Sequence, residues 1–573
     1  MSGRAKGFFV IVMLLDTGPA PQYHGRDYAC HMPRSRQVST KTRMWKTIWG
    51  LFLLINVAGL SYASADGRFT VGLHDGEISL NPLTSFTSTE AQVFTGLYEG
   101  LFSYDPITLR PLPGVAQRWE VSEDGRTYRF FLREDARYSN GDPVIAEHFR
   151  ETWLTMIEPE RASAYSFLFD VIEGVEAYRE GSETDRAAVG IEAIEDSILE
   201  VRLHEQAPHF RQMLPHHSFA VLHPTALETF RSGSSPDVDE DTFVGNGPFT
   251  VAETAQRELL LKRNPHYWDT QNVFFNEIQL LFAEDSARQT SMFNEGYIDW
   301  IHSGFVLSDV RFRETIVVNP MFATNYFFFR VIDEPWDNEL VRRALALLVP
   351  WDTIRNQEFH FTPGHTLVPP IPNYPAPEGI QQQDTQTALD LLEEAGYPRG
   401  EGLPELVILT PGGGENDRVF QVLQDSWLES IGLKVSHQVV THPRYYDALK
   451  TNDAYTIGTV SWIGDYADPL TFLQLWTAAS NLNEAGFADS NYESLLRSSV
   501  QQTGEERYRT MAKAEAILLD TAVVLPVSHS PAVNLIDLEA VDGWFPNPLD
   551  IHPFKTLRPG ERRAAPGVIR YLP

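Results

Sequence analysis

Apolar and polar positions along the chain alternate between two periods, one for short strands and one for amphipathic helices. Residues 69–73 form a short apolar run, and residues 127–133 alternate aromatic and basic side chains at period two, the pattern of a half-buried strand. After the turn signal Asn140-Gly141, Asp142 predicts an N-cap with Pro143 at the first helical position, and Phe149, Trp153, Met156 and Ile157 then fall on one face. Residues 385–395 predict a second helix, with Ala388, Leu391, Leu392 and Ala395 turned inward and Gly396 as its stop, and residues 507–519 behave similarly. Residues 454–461 read as a strand. Loops fall at 232–241, acidic and rich in Ser and Pro, and at 369–377, where five prolines forbid regular structure. The segment from Pro559 onward reads as a loose tail. Strands alternating with helices imply α/β lobes with largely parallel or mixed sheets.

One apolar stretch does not belong to this alternation. Lys41, Arg43 and Lys46 precede an apolar run at 48–60, and Ala63-Ser64-Ala65 follows with small residues where a signal peptidase reads. The run is about 13 residues, short of the roughly 20 that span a bilayer. Met44 therefore reads as the true start, with residues 1–43 an upstream extension and 44–65 a secretory signal peptide cleaved after Ala65. The alternative is a cytoplasmic head followed by an anchor helix. Cleavage would remove Cys30, the single cysteine, and with it any thiol-based metal site, cluster or nucleophile. No lipid-acceptor cysteine follows the run, which points to a soluble periplasmic protein.

Charge narrows the partners. The 573 residues carry a net charge of −31, but residues 1–65 hold eight basic and two acidic side chains, so the remainder stands at −37. At about 150 residues per domain the length predicts three to four domains or lobes. A surface this acidic repels a phosphate backbone, which excludes nucleic acid, and an anionic membrane surface is an equally poor partner.

Searches for catalytic signatures are negative: no G-x-S-x-G, no phosphate-binding G-x-x-x-x-G-K-[ST], no H-E-x-x-H and no C-x-x-C. Gly412-Gly413-Gly414 is followed by Glu415 and Asp417, which favours a flexible loop over an anion nest. Adjacent His216-His217, expected to point in different directions, and His360 with His365 read as ordinary polar histidines, and no metal or other cofactor is expected. The informative stretch is Trp462-Ile463-Gly464-Asp465-Tyr466-Ala467-Asp468-Pro469. It follows the 454–461 strand and sets a carboxylate between two aromatics on a loop leaving a sheet edge, where α/β proteins place ligands. A ligand ammonium is a natural partner for Asp465 there; a turn-capping Asp465 beside a core Trp462 is the alternative.

Several motifs in shared order carry a resemblance. They include Leu80-Asn81-Pro82, Leu97-Tyr98-Glu99-Gly100-Leu101, the run from Trp119 through Ser139-Asn140-Gly141-Asp142-Pro143 to Phe149, Asn246-Gly247-Pro248-Phe249, Arg263-Asn264-Pro265-His266-Tyr267-Trp268, Leu391-Leu392-Glu393-Glu394-Ala395-Gly396-Tyr397 and the Trp462 loop. On these the chain resembles the oligopeptide-binding proteins, the extracytoplasmic receptors of peptide ABC importers (bacterial extracellular solute-binding protein family 5).

The resemblance implies a type II periplasmic-binding-protein fold: two lobes closing about a hinge over an extended peptide, with an extra inserted domain. It divides the chain into a first lobe at 66–98, 246–327 and 531–573, an extra domain at 99–245 and a second lobe at 328–530. It implies that Asp465 meets the peptide's terminal amine with Trp462 beside it, that Tyr165 is a cleft tyrosine, and that Tyr466 and Tyr326 join them. The position just before the loop, basic in some relatives, is Thr459, so Lys450 is the candidate source of positive charge. The tryptophan many members carry upstream is replaced within His442-Pro443-Arg444-Tyr445-Tyr446. The implied function is a monomeric, non-enzymatic receptor delivering short peptides to an inner-membrane permease and ATPase complex. Alternatives are a same-fold receptor for a nickel chelate, haem, glutathione, murein peptide or sugar, a sensory or chaperone-like relative, or an exported hydrolase.

Overall fold

The computed structural model describes residues 67–571, apart from 75–77, 86, 162, 232–241, 284, 357–360, 442–443 and 561–569. The extension, the leader, the acidic loop at 232–241 and His360 lie outside the described residues.

Two long strands organise the fold. Ile316–Phe329 and Val524–Ile536 run antiparallel in the middle of a 12-stranded mixed sheet. Both are dominated by β-branched, aromatic and other apolar residues that suit a strand covered on both faces. Beyond Val524–Ile536 the order continues through Trp300–Ile301 and Arg68–Leu73 to Glu277–Phe282, then the antiparallel strands Glu258–Arg263 and Phe249–Ala255. On the other side, Ile316–Phe329 pairs with Ile457–Ile463, followed by the parallel strands Leu406–Thr410 and Val435–Val439. The two long strands thus belong to both halves of the sheet.

Their ladder has one weak point. Pro320 stands opposite Pro531, and neither has an N–H to give, so pairing lapses there and resumes where Thr324 faces His529. Side chains bridge the gap: Asn325 Nδ2 donates to Ser528 Oγ and Ser530 Oγ, each at 2.9 Å.

A separate four-stranded antiparallel sheet lies within 99–245, in the order Ala116–Val121, Thr127–Leu132, Ile198–Arg202, Ile191–Glu195. Helix Ala146–Met156 packs on it and buries Phe149, Trp153 and Met156, the face the apolar spacing picks out. Its start differs from expectation. Pro143 is taken up in an antiparallel bridge with Arg137, and the Asp142 carboxylate is engaged by Asn140 Nδ2 (2.7 Å) and His223 Nε2 (3.0 Å), so helix begins only after Ile145. Helix Thr385–Glu394 agrees with the pattern and is capped by Asp384, and Gly504–Asp520 extends the helix expected at 507–519 by a turn. Gly413 is the N-cap of helix Gly414–Ile431 rather than part of a free loop. The tail is anchored at both ends of its described part, Arg558–Pro559 pairing with Val541–Asp542 and Arg570–Tyr571 with Val317–Val318. No helix among the described residues is long and apolar enough to cross a membrane.

Candidate functional site

Strand Ile457–Ile463 builds the site. Its even-numbered neighbours carry the ladder to Ile316–Phe329: Val460 faces Tyr326, Trp462 faces Thr324, Gly464 N–H donates to Phe322 O (2.9 Å) and Arg330 N–H to Thr456 O (2.8 Å). Main-chain groups alternate sides along a strand, so those of Thr459, Ser461 and Ile463 point to the opposite edge. On that edge Ile457 meets Ile408, whereas the N–H and C=O of Ser461 and Ile463 find no partner among the described residues. A cavity of about 620 Å³ runs along this open edge. Residues 460–465, Tyr446 and Lys450 form one wall, and the first turn of helix Ser88–Leu97, Tyr104, Tyr165 and the His216-His217 pair form the facing one.

Asp465 closes one end of the edge. After Ile463 the chain turns at Gly464, where a Cβ would stand 2.6 Å from the Phe322 ring, and Asp465 N–H donates to Thr471 Oγ1 (2.8 Å). The same Thr471 hydroxyl donates to Asp465 Oδ2 (3.0 Å), and the Tyr165 hydroxyl also bonds the carboxylate. Tyr104 donates to Asp465 O across the cavity (3.3 Å). The one basic group within ion-pair reach among the described residues is His216 Nε2, 3.7 Å from Oδ1. Burial holds His216 neutral by pushing its pKa well below the usual histidine value, with His217 adding to the effect. Left without a cation, Asp465 is itself pushed up to about 7 by burial, against the pull of Thr471 and Tyr165.

A second buried carboxylate on the same cavity shows the contrast. Glu99 accepts from Tyr267 Oη (2.6 Å), Trp268 Nε1 (2.6 Å) and Lys555 Nζ (2.9 Å), a complete internal set with its own cation. Asp465 lacks that cation, and the Trp462 indole N–H on the same wall is buried without an acceptor. The site therefore holds an uncompensated carboxylate, an unsatisfied donor and an open strand edge, which a ligand bearing an ammonium and a peptide-like backbone would complete.

Of the candidates, Asp465, Trp462, Tyr165, Tyr326 and Lys450 all line this cavity. Trp462 and Tyr165 stand with ring centroids 6.4 Å apart, and Tyr326 packs on Trp476 at 5.7 Å. Lys450, in the last turn of helix Tyr445–Thr451, draws down the pKa of Glu484, which burial otherwise raises. Tyr466 is not among the lining residues: it turns away from its neighbour Asp465, donates to Gln474 Oε1 (3.0 Å) and stacks near His209. The histidine pair departs from expectation, since both rings line the cavity only 4.1 Å apart. No cluster of metal-ligating side chains is found among the described residues.

The sequence gives no signal for Thr471; it reads His216 as an ordinary polar histidine, and Tyr446 only as part of the aromatic-rich segment that departs from the family pattern. A second cavity of about 730 Å³ shares Tyr326, Tyr446, Val460 and Ser461 with the first and continues past Tyr445 toward Asn416 and Arg418.

The chain is similar to known proteins over most of its length. The model described as "Bacterial extracellular solute-binding proteins, family 5 Middle" matches residues 110–484. The dipeptide-binding protein DppE of Bacillus subtilis is 28% identical over 460 residues, covering 77% of this chain and 82% of that protein. The periplasmic oligopeptide-binding protein OppA of Escherichia coli is 26% identical over 448 residues, covering 74% and 80%. Among solved structures, the E. coli murein tripeptide binding protein MppA superposes with a TM-score of 0.78 at 23% identity, over 86% of this chain and 99% of that one. The unliganded open form of MppA gives 0.60, at 23% identity over 87% and 98%. Within this chain, Asn481 Nδ2 donates directly to Ser163 O and Ser166 Oγ (both 2.8 Å).

Proposed function

This chain belongs to the bacterial extracellular solute-binding proteins, family 5, and from that premise we propose that it is the receptor of an ABC importer for short peptides with a free amino terminus. The observation that carries the reading is the open strand edge at Ser461 and Ile463 ending on the buried, uncompensated Asp465 carboxylate. An extended peptide adds to the edge as a further strand, which gives affinity without side-chain selectivity. The terminal ammonium then supplies the cation Asp465 lacks and fixes register. Removing one partner of such a buried charge pair costs about 2–5 kcal/mol, roughly 30- to 5,000-fold in affinity.

The boundaries proposed from the resemblance, a first lobe at 66–98, 246–327 and 531–573, an extra domain at 99–245 and a second lobe at 328–530, are compatible with the proline-broken ladder at Pro320 and Pro531. Closure there brings Tyr104 and Tyr165 of the extra domain over Asp465 of the second lobe. Ligand acts by favouring the closed state, in which alone it touches both walls. The closed, loaded, monomeric receptor then docks on an inner-membrane permease and ATPase complex from the periplasmic side. Calorimetry with di- to pentapeptides, each free or N-acetylated, on wild type and Asp465→Asn tests the reading. Free-amine peptides are expected to bind wild type at least 30-fold more tightly than acetylated ones, with the difference lost in the variant. Equal affinity for both peptide forms would overturn it.

A further inference from the structure

The open edge is short, and a single side chain ends it. Running back from Asp465, the outward-facing residues of the strand are Ile463, Ser461, Thr459 and Ile457. Ile457 is occupied by Ile408. At Thr459 the edge is taken by the hydroxyl of Tyr445, which accepts from Thr459 N–H (3.1 Å) and lies 2.9 Å from Thr459 O and 3.1 Å from Leu409 O, both within donating reach. One phenol therefore stands where the backbone of an added strand would otherwise pair. Tyr445 is 1% exposed, anchored in the first turn of helix Tyr445–Thr451, and burial raises its pKa so that it stays a neutral donor and acceptor.

We propose that Tyr445 is a length-determining residue: its hydroxyl plugs the strand edge at Thr459 and limits main-chain recognition of the ligand to its first three residues. This rests on the peptide-receptor reading above. A peptide with its amine on Asp465 runs antiparallel to Ile457–Ile463, with residue 1 opposite Ile463 and residue 3 opposite Ser461. Residue 5 is the next to face the strand, and it meets the Tyr445 hydroxyl instead of Thr459. Residues beyond the third pass into the second cavity, lined by Tyr445, Tyr446 and Asn416, without further pairing to this strand. The receptor is then a tripeptide reader that tolerates longer chains, and each added residue past the third brings little affinity.

The test is calorimetry with an all-alanine series of two to six residues on wild type and Tyr445→Phe, which keeps the ring and removes the hydroxyl. Wild-type affinity is expected to rise from di- to tripeptide and then stay level within about twofold. In Tyr445→Phe the pentapeptide gains about two- to tenfold, the effect of one hydrogen-bonded pair, while the tripeptide is unchanged. A set of singly N-methylated pentapeptides reads the same point on wild type alone: methylation of the residue-3 amide weakens binding about two- to tenfold or more, and methylation of the residue-5 amide is silent. A wild-type pentapeptide binding more than tenfold tighter than the tripeptide, or a residue-5 N-methyl as harmful as a residue-3 one, overturns the plug. Failure of every free-amine peptide to bind wild type would instead overturn the underlying peptide reading.

Discussion

Thr471 serves both the main chain and the side chain of Asp465 with one hydroxyl, accepting from Asp465 N–H at 2.8 Å and donating to Oδ2 at 3.0 Å. The hydroxyl hydrogen is thereby committed to the carboxylate, which is held in one rotamer facing the cavity. Thr471→Val keeps the shape, leaves a buried N–H and a carboxylate oxygen unpaired, and frees the side chain to turn. A buried group left unsatisfied costs about 1–3 kcal/mol. Peptide affinity in Thr471→Val is expected to fall about 5- to 100-fold by calorimetry, with Thr471→Ser close to wild type. If valine and serine bind alike, the hydroxyl does not position Asp465.

Proton linkage gives a second expectation. Burial moves Asp465 from its ordinary value up to about 7, so the free receptor binds a proton below pH 7 that a bound ammonium must displace. The groups facing this carboxyl do not supply the proton's charge in its place: burial keeps His216 and His217 neutral, and Tyr104 and Tyr165 are pushed further from ionising. Affinity for a free-amine peptide is expected to fall about tenfold per pH unit on going below pH 6, to be greatest between about pH 7 and 8, and to fall again above about pH 8 as the peptide amine loses its proton. Below pH 7, binding releases a proton to buffer, which calorimetry in buffers of different ionisation enthalpy measures directly. Asp465→Asn is expected to release none.

Stability of the free protein follows the same sign. A carboxyl whose folded pKa lies above its unfolded one disfavours the native state as pH rises from about 4 to 7. Glu515, buried in helix Gly504–Asp520 and bonded by Tyr374 Oη (2.7 Å) and Val368 N–H (2.9 Å), is also raised to about 7 by burial. The buried histidines His148, His209, His216, His217 and His529, held below the ordinary histidine value by burial, act with the opposite sign over the same range, so the readout is a difference between variants. The melting temperature of unliganded Asp465→Asn relative to wild type is expected to rise from pH 5 to pH 8, and saturating peptide to raise the wild-type value more at pH 8 than at pH 5.

How much of this was visible in the sequence follows from what each feature depends on. The helix at 385–395 and the strand at 127–133 are local patterns, and both stand where the apolar spacing puts them. The start of helix Ala146–Met156 is not local: His223, some 80 positions away, draws off the Asp142 carboxylate that an isolated segment would use as a cap. Asp465 could be singled out because it sits in an aromatic-flanked motif. Thr471 carries no motif, and its role exists only once a turn at Gly464 folds the two together. Tyr445 stands out in the sequence only as part of a segment that departs from the family pattern, since which edge a hydroxyl blocks depends on strand register and not on residue type.

Gly464 can be tested as that turn. A Cβ there would stand 2.6 Å from the Phe322 ring and 2.9 Å from Thr471 Cγ2, in a region with Phe472 already edge-on to Phe322 at 4.8 Å. Gly464→Ala forces these buried neighbours apart, at a cost of about 1–3 kcal/mol for overpacking. Because Thr471 is one of the displaced groups, peptide affinity is expected to drop together with stability, whereas a Gly→Ala change at Gly181, which has open space around it but a left-handed φ of 75°, should cost stability and leave affinity unchanged. Denaturant unfolding and calorimetry on both variants separate the two.

The loop that carries Asp465 is held at its far end by a buried ion pair. Arg507 of helix Gly504–Asp520 grips Asp468 with both guanidinium arms, Nη2 donating to Oδ1 at 3.0 Å and Nη1 to Oδ2, while Oδ1 also accepts Leu470 N–H (3.0 Å) at the start of helix Leu470–Leu473. Both side chains are about nine-tenths buried. Arg507→Met strands the Asp468 carboxylate, and breaking a buried pair from one side costs about 3–5 kcal/mol. The double change Arg507→Met, Asp468→Asn removes the stranded charge and is expected to recover most of that loss in denaturant unfolding. Peptide affinity should recover less, because the amide no longer fastens the loop to helix Gly504–Asp520 and Asp465 keeps more freedom. A double variant that regains stability and full affinity together would show that the loop needs only neutrality, not the Arg507 clamp, to present Asp465.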